Sequence, residues 1–236
     1  MIAFAGNSLL CRAALKHTAI DPATFTSVRM LSGALALWLI VSMRTGTRLK
    51  GGSWPSALAL FAYAAAFSFA YVDLSAGTGA LLLFGAVQAT MILFGLSRGE
   101  RLNGWQAIGL AAALGGLVAL LLPGLSAPPP RSAILMVGAG IAWGVYSLRG
   151  KGAGDPLAAT TGNFLRAVPF AVILSVVLLS MARADAEGFA CAIASGALTS
   201  GVGYAIWYAA LRRLKATSAA TVQLLSSRQY RRQMER

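Results

Sequence analysis

Charged side chains are scarce in this chain, and acidic ones are the scarcest. Of 236 residues, 11% are charged, with only seven Asp or Glu against 20 Lys or Arg. Soluble domains carry about 25% charged residues, so the composition excludes an ordinary water-soluble domain. Hydrophobic residues make up 57% of the chain, and the mean hydropathy is +0.69. The composition therefore predicts an integral membrane protein.

The residues that build metal and catalytic centres are also missing. His17 is the single histidine, and Cys11 and Cys191 stand in apolar context without zinc or disulfide spacing. The sequence has no Ser/His/Asp set and no Gly-Lys-Ser/Thr phosphate loop. It predicts no enzyme activity, no catalytic residue, no metal and no cofactor. The net charge of +13 lies in short loops between apolar runs, so no nucleic-acid partner is predicted.

No acidic residue lies in the middle of an apolar run. The acids lie near run ends or in loops, at Asp21, Asp73, Glu100, Asp155, Asp185, Glu187 and Glu235. Proton-coupled pumps commonly place a carboxylate or histidine within the membrane. The pattern argues against a mechanism in which an intramembrane acid trades protons for cations. Facilitated export, exchange, and coupling through Asp21 or Asp155 stay open.

Long apolar runs fill most of the chain. They cover 2–15, 22–43, 54–71, 80–96, 105–122, 132–148, 157–181 and 189–211, and a ninth begins at 216–225. A membrane helix needs about 20 apolar residues to cross a hydrocarbon core of about 30 Å. The two runs that form the central hairpin, 80–96 and 105–122, lack the polar face of a soluble helix. The predicted fold class is all-α integral membrane, with about eight to nine transmembrane helices.

Basic residues favour alternate loops. If the N-terminus is cytoplasmic, the opposite loops hold only Lys16, Arg131 and Arg183. The cytoplasmic loops then hold Arg44, Arg48, Lys50, Arg98, Arg101, Arg149, Lys151, Arg212, Arg213 and Lys215. Cytoplasmic loops of membrane proteins are enriched in Lys and Arg. The pattern predicts a multi-pass protein of the bacterial inner membrane with a cytoplasmic N-terminus and the lipid bilayer as its surroundings.

The two halves of the chain repeat each other. Asp21-Pro22 recurs as Asp155-Pro156, Gly6 matches Gly144, and Arg29 matches Arg166, 137 residues later. Five spans per repeat is an odd number, so the second copy must enter from the other side. Inverted repeats are typical of secondary transporters, with the substrate site between them. The predicted boundaries are a first repeat at 1–124, a Pro-rich linker at 125–130, an incomplete second repeat at 131–225 and a basic tail at 226–236.

The second repeat lacks the counterpart of the Gly-Glu hinge at Glu100. That counterpart would fall at position 237, one past the last residue. The sequence therefore indicates either a fragment or a reading frame that shifts near Leu224. The alternative is a natural eight-span protein with a basic cytoplasmic tail.

Several short motifs occur in an order typical of one transporter family. They include Gly6-Asn7-Ser8, the Ala-Tyr-x-x-Leu-x-x-Gly-x-Gly-Ala pattern at 70–80, the Leu-Ser-Arg-Gly-Glu-Arg hinge at 96–101, Ala142-Trp143-Gly144 and Asn163-Phe164-x-Arg166. Over residues 1 to about 225 the chain resembles EamA-type transporters of the drug/metabolite transporter superfamily. The resemblance implies alternating-access export of a small polar metabolite, often an amino acid, or of a drug. The alternative is an inactive fragment or a non-transporting membrane protein, and a homodimer is left open.

Two arginines inside apolar runs are the strongest candidate site residues. An arginine at a membrane helix centre costs roughly 2.5 to 3.5 kcal/mol, which something must offset. Arg29 and Arg166 lie about two turns inside their runs. Either both face a central cavity and bind an anionic group such as a carboxylate, or each reaches an interface or a helix-end carbonyl. Arg12 is a similar candidate nearer a loop.

Uncharged polar and aromatic residues complete the predicted substrate site. Asn7, Gln88 and Asn163 either orient an amide or amino-acid substrate or bridge helices by hydrogen bonds. Trp143 and Tyr146, one turn apart, either form an aromatic wall of the cavity or anchor a helix at the membrane interface.

Overall fold

A computed structural model describes residues 2–45, 51–99, 104–105, 108–109, 111–112, 115–116, 128–151 and 154–203. The described part contains helices and no strand. The helices are α1 Ile2–His17, α2 Pro22–Thr45, α3 Trp54–Ala70, α4 Ala76–Ser97, α5 Pro130–Gly150, α6 Pro156–Val177 and α7 Ala186–Ala194. A 3-10 turn covers Leu179–Met181, and α7 continues directly into a π-helical stretch at Ser195–Val202. The described residues between 104 and 116, within the predicted fifth span, are also helical.

Four of these helices are long and apolar enough to cross a membrane. They are Pro22–Arg44 within α2, and α4, α5 and α6. The apolar helix α3 is shorter, at 17 residues. The all-helical class is confirmed, whereas the count of eight to nine spans stays a prediction. The ninth apolar run, the basic tail and the predicted frame shift lie outside the described residues.

Helices α2 and α6 begin in the same way. Asp21 accepts backbone hydrogen bonds from the residues two and three positions later, at 2.9 and 3.0 Å, and Asp155 does the same at 3.1 and 3.4 Å. A proline follows each aspartate, where its missing N–H is harmless. Five residues after each aspartate, Thr26 and Thr160 donate to the carbonyl of that proline, at 2.7 and 2.8 Å. The two Asp-Pro-x-x-x-Thr segments therefore form equivalent helix starts.

This shared start sets the helix register and separates the two arginines. Arg29 follows Asp21 by eight residues, and the residue at that position after Asp155 is Asn163. Arg166 lies three residues further along α6. Three residues are almost one helical turn of 3.6 residues. Arg29 and Arg166 therefore correspond by sequence spacing but not by position in their helices.

Helices from the two halves of the chain pack around one core. Helix α2 packs against α6 and the π-helical stretch, α3 packs against α5 and α6, and α4 packs against α5. Helix α1 packs against α7 and the π-helical stretch. The largest fully buried side chains at these contacts include Arg29, Tyr71, Tyr146, Phe25, Phe67 and Phe164. A charged arginine thus lies among aromatic residues in the centre of the bundle.

The close approach of α6 to the segment 51–53 depends on Gly162. A Cβ at Gly162 would overlap the carbonyl oxygen of Gly51. We expect Gly162→Ala to destabilise the protein by about 1 to 3 kcal/mol, because the added methyl meets backbone that cannot move freely. Gly138→Ala is the matched control, since a Cβ at Gly138 has nothing within 4 Å. We expect that change to be neutral or stabilising. Thermal unfolding in detergent measures both, and an unchanged midpoint for Gly162→Ala would contradict the close contact.

Candidate functional site

Arg29 on α2 lies in the core, with 1% of its surface exposed. Its guanidinium carbon lies 5.4 Å from the ring centre of Tyr63 and 5.1 Å from that of Phe67. Its Nη2 atom donates a hydrogen bond of 3.4 Å to the hydroxyl oxygen of Tyr63. Aromatic faces attract cations, and the attraction is stronger where water is excluded. Two aromatic rings of α3 therefore help to hold the buried charge of Arg29.

Asn7 on α1 contacts the hydroxyl of the same tyrosine. Its Nδ2 atom donates to the hydroxyl oxygen of Tyr63 at 3.4 Å. Its Oδ1 atom accepts from the hydroxyls of Ser195, at 2.7 Å, and Thr199, at 3.2 Å. We call these five residues the Tyr63 cluster: Asn7, Arg29, Tyr63, Ser195 and Thr199. The cluster joins α1, α2 and α3 of the N-terminal half to the π-helical stretch of the C-terminal half.

The π-helical stretch brings its two hydroxyls to Asn7. Ser195 is fully buried and Thr199 is 9% exposed. A Cβ at Gly196 would overlap Ser32 Oγ and the backbone oxygen of Arg29, so this glycine allows the stretch to lie against α2. π-Helical turns are rare and frequently occur at functional sites. The unusual backbone therefore coincides with the point where the second half of the chain completes the cluster.

Aromatic side chains of α5 cover one side of Tyr63. The ring of Trp143 lies 5.0 Å from that of Tyr63, and the ring of Tyr146 lies 5.4 Å from that of Trp143. Trp143 and Tyr146 are 3% and 1% exposed, so the structure places both inside the bundle rather than at its surface. Trp143 and Tyr146, the two candidates for an aromatic wall of the substrate site, therefore lie next to the polar cluster.

The other two predicted arginines hold backbone carbonyls near the ends of α3. Arg12 Nη1 donates to the carbonyl oxygens of Tyr71 and Val72, at 2.8 and 2.7 Å. Arg166 Nη1 donates to those of Gly51 and Gly162, at 2.8 and 2.9 Å. The structure therefore does not bring Arg166 to Arg29. The alternative interpretation, in which an arginine pairs with a backbone carbonyl, describes both residues.

The two remaining predicted polar residues, Asn163 and Gln88, make no hydrogen bond to the cluster among the described residues. Asn163 Oδ1 accepts from the backbone N–H of Ser53 at 2.8 Å, so it holds the start of α3. Gln88 lies on α4, and its Nε2 atom is buried with no hydrogen-bond partner among the described residues. The structure thus brings together Asn7, Arg29, Trp143 and Tyr146, whereas Arg12, Arg166 and Asn163 bind backbone groups outside the cluster.

Sequence reasoning missed the residue at the centre. Tyr63 stands in the apolar run Ala-Tyr-Ala-Ala-Ala-Phe, with Phe67 one turn later. A tyrosine hydroxyl in the middle of such a run is a signal, since buried tyrosine hydroxyls usually find a partner. Ser195 and Thr199 share a helix face four residues apart, but nothing in the sequence indicates that they face Asn7.

Comparison with known proteins identifies the family. The EamA-like transporter family matches residues 130–227. An uncharacterized protein of Pseudomonas aeruginosa is 59% identical over 226 residues, which are 95% of this chain and 78% of that protein. The chain belongs to the EamA-like transporter family. Membership indicates a membrane transporter of the drug/metabolite transporter superfamily rather than an enzyme.

Two more distant similarities are to an exporter and to a protein of known structure. A probable terminal-alkyne amino-acid exporter of Streptantibioticus cattleyicolor is 30% identical over 179 residues. The match covers 72% of this chain and 59% of the exporter. A protein of known crystal structure, 16% identical, superposes with a TM-score of 0.65 over 95% of this chain and 84% of its own. That protein shows the same fold.

Proposed function

We propose that this EamA transporter exports a small polar metabolite, an amino acid or a close analogue, across the bacterial inner membrane. The observation that carries the proposal is the Tyr63 cluster, in which Arg29 and Asn7 meet in the core. Ligand sites are commonly apolar with a few convergent polar groups. The similarity to an amino-acid exporter supports the choice of substrate class.

The residues around the cluster suit a carboxylate that is attached to an apolar group. Arginine can bind a carboxylate in a bidentate way, so Arg29 supplies the charge that an amino acid's carboxylate needs. The rings of Phe67 and Trp143 offer apolar surface beside it. Among the described residues, every Asp and Glu lies at a helix start or in a turn, at Asp21, Asp73, Asp155, Asp185 and Glu187. The cluster therefore presents a positive charge, that of Arg29, to an incoming anionic group.

Polar contacts between the two halves support alternating access. At one end, Asp21 Oδ2 accepts from the backbone N–H of Arg183, and Asp185 Oδ2 accepts from that of Ala19, both at 3.0 Å. At the other end, Asn163 and Arg166 of α6 hold segment 51–53. In our proposal the halves are inverted repeats that rock about the cluster, and each end opens when its own contacts break. A cytoplasmic N-terminus would make the Asp21 end periplasmic.

The pair of aspartates predicts how stability depends on pH. Burial raises the pKa of Asp21, but hydrogen bonds from Thr24, Arg183 and Ala23 lower it below its ordinary value of 3.8. The hydrogen bond from Ala19 lowers the pKa of Asp185 from the same value, against a weaker opposing effect of desolvation. A lowered folded-state pKa stabilises the fold fully above the ordinary pKa and progressively less as pH falls through the folded value. We expect the unfolding temperature to be steady down to about pH 4.5 and to fall below it.

Paired variants test that dependence. In the Asp21→Asn, Asp185→Asn double variant, unfolding temperature should be lower at neutral pH, and its decline on acidification should be shallower. Glu187→Gln changes an exposed acid next to Asp185 and should reproduce the wild-type curve. Thermal unfolding in detergent from pH 7 to pH 3 measures all three. A double variant that keeps the full wild-type slope would assign the acid sensitivity to other groups.

Direct efflux tests the proposed function. Purified chain is reconstituted into liposomes loaded with each of the twenty labelled proteinogenic L-amino acids. We expect at least one amino acid to leave faster than from protein-free liposomes and to show saturation. If folded, correctly inserted protein moves none of them, the amino-acid assignment is wrong.

A further inference from the structure

We propose that the hydroxyl of Tyr63 determines specificity for a carboxylate, because it donates a hydrogen bond to the substrate's carboxylate beside Arg29. The inference rests on the proposed export of an amino acid and adds a residue and a selection rule to it. It predicts that the transporter discriminates a free carboxylate from the corresponding amide.

The hydroxyl of Tyr63 accepts hydrogen bonds, but its capacity to donate one is unused among the described residues. A phenolic oxygen has one proton to donate and can accept two hydrogen bonds. Asn7 Nδ2 and Arg29 Nη2 both donate to this oxygen, each at 3.4 Å. The Tyr63 proton has no acceptor among the described residues. A buried donor without an acceptor is unfavourable, so the site favours a ligand that supplies one.

The surroundings select the kind of acceptor. Arg29 Nη2 cannot accept a hydrogen bond, and Asn7 Oδ1 already accepts from Ser195 and Thr199. A carboxylate oxygen accepts only, carries the charge opposite to Arg29, and can receive donors from both residues at once. An amide offers one weaker acceptor and brings an NH₂ group that would face the guanidinium. The cluster therefore favours the acid over the amide.

The ring of Tyr63 is held so that its hydroxyl has a fixed direction. It packs against Phe67 with ring centres 5.4 Å apart and against Trp143 at 5.0 Å. Tyr63 is 3% exposed, so its ring has little freedom to turn away. Phenylalanine at this position would keep the ring contacts and remove only the hydroxyl. The hydrogen bonds of 3.4 Å are longer than the usual 2.7 to 3.2 Å, and a carboxylate placed between the donors can replace them with shorter, charge-assisted ones.

The test compares acids with amides in two tyrosine variants. The probes are the twenty proteinogenic L-amino acids and their carboxamides, and the readout is the dissociation constant from ligand-induced thermal stabilisation of the full chain in detergent. We expect wild type to bind at least one acid at least tenfold more tightly than its amide. Tyr63→Phe should weaken binding of that acid tenfold to a hundredfold and leave the amide unchanged. Tyr71→Phe is the matched control, because it removes a buried hydroxyl two turns away on the same segment, and it should bind like wild type.

Each outcome decides the inference. Equal binding of the acid by Tyr63→Phe and wild type would overturn the role of Tyr63 and leave amino-acid export standing. A water molecule would then accept the hydrogen bond from Tyr63 in the wild type. Equal binding of acid and amide by wild type would also overturn it, and this comparison does not depend on whether the variant folds. Failure of wild type to bind any amino acid or amide would overturn the proposed function and this inference with it.

Discussion

Replacing Arg29 with methionine is expected to reduce amino-acid efflux at least a hundredfold per folded molecule. Methionine has a side chain of similar length but no charge and no N–H donor, so it cannot bind a carboxylate as arginine can. The change also removes a long hydrogen bond to Tyr63 and the interactions with two aromatic rings, each worth about 1 kcal/mol. If Arg29 only stabilised the fold, Arg29→Met would show normal transport per folded molecule.

Two further arginine variants make this test specific. Arg29→Lys keeps the positive charge but loses the planar pair of donors, so we expect weakened efflux rather than none. Arg98→Met removes an exposed arginine that also lies over an aromatic ring, since its guanidinium carbon is 5.2 Å from the ring centre of Phe94. We expect this variant to leave efflux unchanged. Efflux from liposomes, divided by the amount of folded protein, is the measurement. Wild-type efflux by Arg29→Met would remove the charge from substrate binding.

Features that follow from local sequence were predictable. Apolar run length and composition indicated the membrane class, and the bounds of runs 22–43, 132–148 and 157–181 lie within a few residues of α2, α5 and α6. Asp-Pro is a local helix-start signal, and the structure shows Asp21 and Asp155 as the caps of α2 and α6. These signals work because a cap or an apolar run acts on neighbouring residues and needs no knowledge of the tertiary contacts.

The site was only partly predictable because it joins positions distant in sequence. Asn7 and Arg29 could be selected as polar residues in apolar runs, whereas their common partner Tyr63 looks like an ordinary aromatic residue of a core helix. Ser195 meets Asn7 across 188 residues, through a π-helical turn that no local propensity indicates. Arg29 and Arg166 lie 137 residues apart, whereas the two helix starts at Asp21 and Asp155 lie 134 residues apart, so the two arginines differ by three residues in their distance from the helix start. Three residues change both the depth and the face of a side chain on a helix.

Replacing Arg166 with methionine is expected to lower the unfolding temperature by roughly 6 to 24 °C and to affect ligand binding by folded molecules much less than Arg29→Met. Hydrogen bonds from a charged donor are worth about 1.5 to 3 kcal/mol each, and Arg166 makes two, to the carbonyl oxygens of Gly51 and Gly162. Each 1 kcal/mol shifts the unfolding temperature by about 2 to 4 °C in a protein of 150 to 250 residues. The destabilisation falls on the contact between α6 and segment 51–53, where Gly162 already requires a close approach.

Arg131→Met is the control for this stability effect. Arg131 is exposed in the first turn of α5, and changes at exposed positions usually alter stability by no more than about 0.5 kcal/mol. Thermal unfolding and ligand-induced stabilisation in the same detergent give stability and binding for each variant. If Arg166→Met unfolds at the wild-type temperature but binds no amino acid, Arg166 belongs to the substrate site and both arginines face the cavity. If it is destabilised but binds normally, Arg29 alone supplies the positive charge for the substrate, and the two arginines have separate roles despite their shared spacing.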